Sequence, residues 1–207
     1  MTVAALHPAE PDEVDSTEQP KSWSPVDLPA AQAAARALLH AIGADPDREE
    51  LRDTPRRVAA AYAELLSPRP FVATTFPNDE RYEGLVVVSQ IAFTSLCEHH
   101  LLPFTGEATV GYLPGDRLLG LSKLAHVVAY FARRLQVQER MTMQIARWLE
   151  DELSPLGVGV VVVAEHSCMT MRGAQARGAR TTTSALLGVL RDDPSARAEF
   201  MAAAARG

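Results

Sequence analysis

Four consecutive residues, Cys97-Glu98-His99-His100, place a thiol, a carboxylate and two imidazoles in one short segment. Cys97 and His100 stand three residues apart, a spacing that lets one tight turn present sulfur and nitrogen to a single ion. Zinc is bound by thiolate and neutral imidazole at tetrahedral angles, so this mixed pair favours zinc. Two ligands do not complete a zinc site, and a third must come from elsewhere in the chain.

The other cysteine of the chain, Cys168, lies in a second segment that contains a histidine, His166-Ser167-Cys168. Both cysteines and three of the six histidines therefore fall within two short segments. A Cys/His/Cys site with its fourth position left for water is typical of catalytic zinc, because structural zinc usually has four protein ligands. The alternatives are two buried thiols without a metal and a disulfide. The clustering disfavours the first, and the lack of a recognisable secretory signal disfavours the second.

The apolar stretch before Cys168 predicts a strand that begins at Val158 and runs on to Met171. If this stretch is extended, alternation places His166, Cys168 and Arg172 on the same face. His166 then lies close enough to a metal at Cys168 to donate or accept a proton, and Arg172 lines the same cavity with a positive charge.

Three more side chains are candidates for the same cavity. The ring of His99 must point differently from that of His100, which makes His99 a second candidate for proton transfer. Ser122 and Lys123 begin a predicted helix, where Ser122 can act as the cap. The helix N-terminus and the Lys123 ammonium together attract an anion. The segment lacks the glycine pattern of a P-loop.

Composition predicts a globular protein of the cytoplasm. The 207 residues are 47% apolar, which is enough for one domain with a sizeable core and appendages. The net charge of −6 argues against general nucleic-acid binding, and no apolar stretch is long enough to span a bilayer. Residues 1–26 are rich in acids and prolines, which predicts a disordered tail.

Local patterns predict an α+β fold with an antiparallel sheet covered by helices on one face. Residues 27–84 are expected to form an N-terminal helical region and a loop, and residues 85–207 the catalytic domain. Helices are predicted over 28–42, 53–65, 121–135 and 140–153 and from 193 onwards, and strands over 85–94, 105–113, 158–171 and 181–187. Residues 114–116 are read as a hairpin turn, and 136–139 as a polar break between helices.

Four blocks of the sequence resemble the signature blocks of the GTP cyclohydrolase I family. They are Ser95-Leu96-Cys97-Glu98-His99-His100, Gly120-Leu121-Ser122-Lys123, Gln136-Val137-Gln138-Glu139-Arg140 and His166-Ser167-Cys168-Met169. The similarity runs from about Thr54 to Phe200, in the order of the family and without an obvious gap.

The resemblance implies a role for each matching residue. The zinc ligands would be Cys97, His100 and Cys168, the acid–base histidines His99 and His166, the guanine-recognising pair Gln138 and Glu139, and the triphosphate-binding positions Ser122, Lys123 and Arg172. Arg57 resembles an arginine that a neighbouring subunit supplies. The role of Glu139 is chemically apt, because a carboxylate can accept hydrogen bonds from both N1–H and the exocyclic amine of guanine.

The resemblance also implies a fold, a cofactor and a reaction. The fold would be the tunnelling fold (T-fold), in which sheets from several subunits close a barrel in a toroidal decamer with active sites between subunits. The reaction would be Zn²⁺-dependent hydrolysis at C8 of GTP, with release of formate and rearrangement to 7,8-dihydroneopterin triphosphate, the first step of tetrahydrofolate and pterin biosynthesis.

One position departs from the pattern of the family. An arginine that helps to bind phosphate usually follows the lysine by three residues, and this chain has His126 there. An ordinary histidine is mostly neutral at pH 7, so a permanent bidentate cation is lost and weaker triphosphate binding is expected, especially at higher pH. Two alternatives therefore stay open: a variant cyclohydrolase of a specialised pathway of the 7-deazapurine type, and a non-catalytic GTP-binding homologue. A purely structural zinc protein is disfavoured by the missing fourth ligand.

Overall fold

The computed structural model describes residues 25–206, which form helices and strands in a mixed α+β arrangement. The helices are α1 Leu28–Ala41, α2 Thr54–Leu65, α3 Leu121–Ala132, α4 Gln138–Leu153, α5 Ser167–Thr170, α6 Val189–Asp192 and α7 Pro194–Arg206. The strands are β1 Thr75–Pro77, β2 Val86–Cys97, β3 Pro103–Leu113, β4 Arg117–Leu119, β5 Leu135–Gln136, β6 Gly157–His166 and β7 Thr181–Gly188. The predicted α+β class is confirmed. Almost all of the predicted tail lies outside the described residues, and the division after residue 84 stays a prediction.

The N-terminal helices begin and end where local signals predict. The Asp27 carboxylate accepts a hydrogen bond from the Ala30 N–H at 3.0 Å, and Pro29 occupies the first turn of α1. Gly43 follows the helix with φ of +82°, a conformation that glycine adopts without steric cost. No helix among residues 25–206 combines the length and the apolar character needed to cross a bilayer.

A five-stranded sheet in the order β5-β2-β3-β6-β7 is the centre of the fold. The pairs β2/β3, β3/β6 and β6/β7 are antiparallel, and the short β5 runs parallel to β2. The register places Phe104 opposite His166 and Cys97 opposite Gln136. The two segments with metal-ligating side chains therefore meet at one end of the sheet.

Helices cover both faces of the sheet, whereas the sequence predicts only one covered face. Alternate β6 residues such as Val160 and Val162 pack with α3 and α4 in the main core. Between them, Val161 points to the opposite face, where it packs with Leu190 of α6 and Phe200 of α7. The C-terminal helix α7 thus forms a second helical layer on the opposite face of the sheet. The sequence predicted this helix but did not predict which face of the sheet it covers.

Phe200 packs into a slot formed by two glycines that face each other across β3 and β6. Gly111 and Gly159 are register partners, and a Cβ atom on Gly159 would lie 2.6 Å from the Phe200 ring. A Cβ atom on Gly111 would lie 3.2 Å from the same ring. Phe200 is fully buried, which stabilises the contact of α7 with the sheet by about 1.5–3 kcal/mol.

The strand before Cys168 ends earlier than predicted. β6 stops at His166, and residues 167–170 form the single helical turn α5, in which the Met171 N–H donates to the Ser167 carbonyl. The Thr170 hydroxyl also donates to the His166 carbonyl, at 3.3 Å. The alternation argument that put His166, Cys168 and Arg172 on one strand face is therefore wrong, because residues beyond His166 are not extended.

Two predicted connections also differ. The stretch read as a polar break, residues 136–139, belongs to β5 and to the first turn of α4, and its glutamines are buried and hydrogen-bonded inside the protein. The turn at residues 114–116 leads from β3 into β4, which pairs with β1 and not with β3. This turn is therefore not a hairpin turn.

Candidate active site

A tight turn between β2 and β3 carries the first pair of metal-ligating side chains. The Leu101 N–H donates to the Cys97 carbonyl at 2.8 Å, and Leu101 takes a left-handed conformation with φ of +56°. The turn brings Cys97 Sγ to 3.6 Å from His100 Nδ1. The Tyr62 hydroxyl of α2 donates to the Leu101 carbonyl at 3.1 Å, which ties the turn to the helical region.

Cys168 of α5 completes a group of three donors. The ligating atoms of Cys97, His100 and Cys168, which together are called the metal group below, all lie within 4.8 Å of one another. Tetrahedral zinc with Zn–S bonds of about 2.3 Å separates its ligand atoms by about 3.8 Å, so small side-chain adjustments would suffice to bind it. The predicted convergence of the two segments is confirmed. Because Cys97 is buried and His100 is exposed, the group opens to solvent on one side.

The chemistry of the donors fits a metal cation. Burial raises the pKa of the Cys168 thiol, and the neighbouring Cys97 thiol adds to the increase. Two thiols this close are costly to ionise together unless a cation lies between them. A bound zinc ion would favour the thiolate form, because zinc deprotonates the thiols that coordinate it. Among the described residues the group has three protein donors, which leaves one tetrahedral position for a non-protein ligand.

His166 is held on two sides at the end of β6. Its ring stacks on the fully buried Phe104 ring, with centroids 4.5 Å apart and planes 4° from parallel. Its Nε2 lies 2.7 Å from Gln138 Oε1. Burial lowers the pKa of His166, and the negative charge of Glu139 opposes this decrease in part. His166 is therefore close to α4, although it is not on a common strand face with Cys168.

Gln138 has partners that differ from those implied by the family resemblance. Its side chain is 1% exposed, and its Nε2 lies 3.0–3.1 Å from the Val162 and Thr181 carbonyl oxygens and from the Thr183 hydroxyl, so its two hydrogens are shared among three acceptors. Its Oε1 faces His166. All polar atoms of the amide are thus used inside the protein, and the side chain does not present a group to a ligand.

Glu139 and His99 are the exposed members of the candidate site. Glu139 lies in the first turn of α4 beside Gln138, with its side chain at the surface and near enough to influence His166. His99 is 64% exposed, with Nδ1 at 3.9 Å from Cys97 Sγ and Nε2 at 3.9 Å from Glu98 Oε1. Both side chains are accessible to a ligand that approaches from solvent.

The expected anion-binding residues come from two helices, α2 and α3, and from the segment that follows α5. Ser122 and Lys123 lie in the first turn of α3, but Gly120 is the residue at the cap position and no side chain caps this helix, so the predicted cap role of Ser122 is wrong. His126 is exposed one turn later, with its ring edge-on to Phe71 at 5.7 Å.

The two arginines of the expected set have local partners. Arg172 is exposed just beyond α5, and its Nη1 donates to the carbonyl of the metal-group residue Cys168 at 3.4 Å. Arg57 is exposed on α2 and forms an ion pair with Asp53 of the same helix at 3.5 Å. Arg172 therefore adjoins the metal group, whereas Arg57 is bound within the helical region of its own chain.

Sequence reasoning missed the residues that support the site from behind. They are Phe104 under His166, Tyr62 on the Leu101 carbonyl, Arg140 on the Glu98 carboxylate, and the hydroxyls of Thr142 and Thr183 around Gln138. Arg140 and Glu98 both occur in the blocks that resemble the family, which was the only signal available for them.

The fold and the site define an α+β protein in which thiols and an imidazole can hold a metal ion beside a fixed histidine. This chain belongs to the GTP cyclohydrolase I family, because the family model matches residues 31–205. It is therefore an enzyme of the hydrolase class.

Curated relatives agree with the family model. The chain is 52% identical over 176 residues to GTP cyclohydrolase 1 of Bacillus subtilis, covering 82% of this chain and 92% of the relative. It is 51% identical over 182 residues to GTP cyclohydrolase 1 of Clostridioides difficile, covering 85% and 95%. It is also 49% identical over 181 residues to GTP cyclohydrolase 1 of Rhodopirellula baltica, covering 85% and 78%.

Proposed function

We propose that this protein is a zinc-dependent GTP cyclohydrolase I that hydrolyses GTP at C8, releases formate and forms 7,8-dihydroneopterin triphosphate. The observation that carries the proposal is the convergence of the Cys97, His100 and Cys168 donor atoms within 4.8 Å, in a chain of this family. The product would enter tetrahydrofolate and pterin biosynthesis, in the cytoplasm.

Cys97, His100 and Cys168 would hold the zinc ion. When bound, zinc supplies Lewis-acid activation of water near neutral pH. The two cysteines and the histidine leave one side of the group open toward solvent, where the purine ring of the substrate would approach. The hydrolytic steps at C8 open the imidazole ring and release the carbon as formate.

His99 and His166 would carry the protons. A histidine that protonates N7 of guanine makes C8 more electrophilic, and the later rearrangement of the ribose requires further proton transfers. His166 is suited to this role because Phe104 and Gln138 fix its ring, so little orientation has to be gained on binding. His99 is more exposed and can reach groups nearer to solvent.

Glu139 would recognise the guanine base. Its carboxylate is exposed at the start of α4 and can accept hydrogen bonds from N1–H and the exocyclic amine, a pair of donors that guanine presents and adenine does not. Gln138 adjoins Glu139, but its side chain is engaged inside the protein. We therefore assign direct base recognition to Glu139.

Ser122, Lys123 and Arg172 would bind the triphosphate, with His126 in the place of the usual arginine. Lys123 and Arg172 supply positive charge, and Arg172 adjoins the metal group through Cys168. Arg57 would act on the site of a neighbouring subunit. Its exposed position on α2 is consistent with such a role.

This assignment requires an oligomer. We infer the T-fold arrangement, in which sheets of several subunits close a barrel and a decamer places its active sites between subunits. In the described chain, β7 pairs with β6 alone, so its other edge is free to pair with a strand of a second copy.

One incubation tests the activity. Purified zinc-loaded protein is mixed with GTP, and both formate and the fluorescence of the oxidised pterin are followed, with chelator-treated protein as the control. We expect both products in equal amounts. Formate without pterin would indicate the variant cyclohydrolase, and GTP binding without formate would indicate a non-catalytic homologue.

A further inference from the structure

The Gln138 amide can adopt only one orientation. Its Nε2 contacts the carbonyl oxygens of Val162 and Thr181, which are acceptors only. A flipped amide would place its oxygen against both carbonyl oxygens, where no hydrogen is available, and both hydrogen bonds would be lost. The nitrogen must therefore face β6 and β7, and Oε1 must face His166.

Two threonine hydroxyls reinforce this orientation in a closed chain of hydrogen bonds. The Thr142 hydroxyl donates to the Gln138 backbone carbonyl at 2.8 Å, so its single hydrogen is used. The contact of 2.7 Å between the Thr142 and Thr183 hydroxyls must then be donated by Thr183. Thr183 in turn accepts from Gln138 Nε2 at 3.1 Å. Each hydroxyl donates once and accepts once, and neither has a hydrogen left for Gln138 Oε1.

Because Gln138 Oε1 can only accept, the group that faces it at 2.7 Å must donate. That group is His166 Nε2. We propose that Gln138 is a positioning residue that holds the His166 imidazole with its hydrogen on Nε2, so that Nδ1 is the nitrogen that exchanges a proton with the substrate. The stacked Phe104 ring fixes the plane of the same imidazole. The proton-transfer role of His166 and the identity of the substrate rest on the proposed function, whereas the position of the hydrogen on the ring does not.

Kinetics separate this role from a direct contact of the Gln138 side chain with guanine. Gln138→Met keeps the length of the side chain and removes its hydrogen bonds. If Gln138 acts through His166, kcat falls by about 10- to 100-fold, by analogy with lost hydrogen-bond partners of metal-ligating histidines, while KM for GTP changes little. A rise in KM with unchanged kcat would overturn the proposal in favour of base contact.

A spectroscopic measurement tests the hydrogen position without relying on activity. In the full-length, ¹⁵N-histidine-labelled protein, one-bond coupling shows which ring nitrogen of His166 carries the hydrogen. We expect Nε2 in the wild type and a mixture of both forms in Gln138→Met. Hydrogen on Nδ1 in the wild type would refute the proposal. A protein that fails to turn over GTP would still give this answer, so the two failures are distinguishable.

A matched pair of substitutions at Thr183 covers the case in which Gln138→Met does not fold. Thr183 bonds to Gln138 and Thr142, and its hydroxyl does not bond to His166. Thr183→Val removes the hydroxyl at nearly constant volume, whereas Thr183→Ser keeps it. We expect the valine variant to lower kcat in the same direction as Gln138→Met and the serine variant to recover it. Equal kcat in the two Thr183 variants would refute the proposal that this chain of hydrogen bonds holds Gln138 in place.

Discussion

The Arg140 guanidinium forms an ion pair with the Glu98 carboxylate. This pair joins the turn between β2 and β3, which carries Cys97 and His100, to the first turn of α4. The same guanidinium donates to Gln136 Oε1 at 3.2 Å and to the Leu135 carbonyl at 3.3 Å. The Glu98 N–H donates to the Gln136 carbonyl at 3.1 Å. The segment between two metal-ligating residues is thus fixed to the segment that positions His166.

This ion pair should contribute a small, measurable coupling energy. The Arg140 side chain is 44% exposed and the Glu98 side chain 31% exposed. Solvent screening therefore limits the coupling energy between Arg140→Met and Glu98→Gln to about 0.5–1 kcal/mol. Urea unfolding of both single variants and the double variant, at one protein concentration, measures it. Fully additive losses in the free energy of unfolding would contradict the link.

Replacing either cysteine should remove metal and activity together. Cys168→Ser substitutes a hydroxyl for a thiolate ligand, so we expect zinc content per chain and formate release to fall to background. Met171→Ser is the matched control, because Met171 lies three residues away and is 72% exposed. The control should keep both properties. An active, zinc-free Cys168→Ser protein would refute the metal role.

His126→Arg should improve substrate binding. Arginine restores a permanent, bidentate cation, and one charge-assisted hydrogen bond of about 1.4 kcal/mol corresponds to a KM for GTP lower by about tenfold. Since the His126 side chain is exposed and its ring is edge-on to Phe71, the larger side chain should be tolerated.

His40→Arg, in the last turn of α1, is the control for added positive charge. KM for GTP is measured at one pH for the wild type and both variants. An unchanged KM in His126→Arg, or an equal gain in His40→Arg, would contradict a phosphate-binding role for this position.

The half-buried imidazole of His166 should make the protein less stable in mild acid. Burial lowers the pKa of His166 below its ordinary value of 6.5, so the unfolded state takes up a proton before the folded state does. The stability from this group is therefore complete above about pH 6.5 and is lost as the pH falls through the folded pKa. His166→Gln cannot bind this proton.

Comparing unfolding free energies at about pH 7.5 and about pH 5 tests the sign. The wild type should lose more stability on acidification than His166→Gln does. Equal losses in the two proteins would show that His166 titrates alike in the folded and unfolded states.

The predictable parts of the fold are those with strong local signals. Asp27, Pro29 and Gly43 delimit α1, and Asp193 caps α7 through the N–H groups of Ser195 and Ala196. The metal group was also predictable, because its residue types and spacing suffice to define the chemistry. The signals that delimit the helices and define the Cys97/His100 pair act within a few residues, whereas Cys168 is distant in the chain and was assigned from its residue type and its neighbour His166.

The parts that escaped prediction depend on contacts between distant segments. Gln136 and Gln138 were predicted to belong to a polar break between helices, yet both are buried and satisfied by partners from other elements. The end of β6 at His166 depends on the turn of α5, whose own sequence resembles the end of a strand. A one-dimensional pattern does not distinguish a polar residue that faces water from one that faces a buried carbonyl.

The slot for Phe200 couples substitutions at positions that are distant in the sequence. A methyl group at Gly159 would collide with the ring, so alanine there is tolerable only if residue 200 becomes smaller at the same time. Conversely, a smaller residue 200 would leave a void that added atoms at 159 could fill, whereas a Cβ atom at Gly111 would still lie 2.9 Å from the Val86 carbonyl oxygen. Among descendants of this sequence, substitutions at these sites should therefore arrive as compensating pairs, and an isolated change at any of them should be rare.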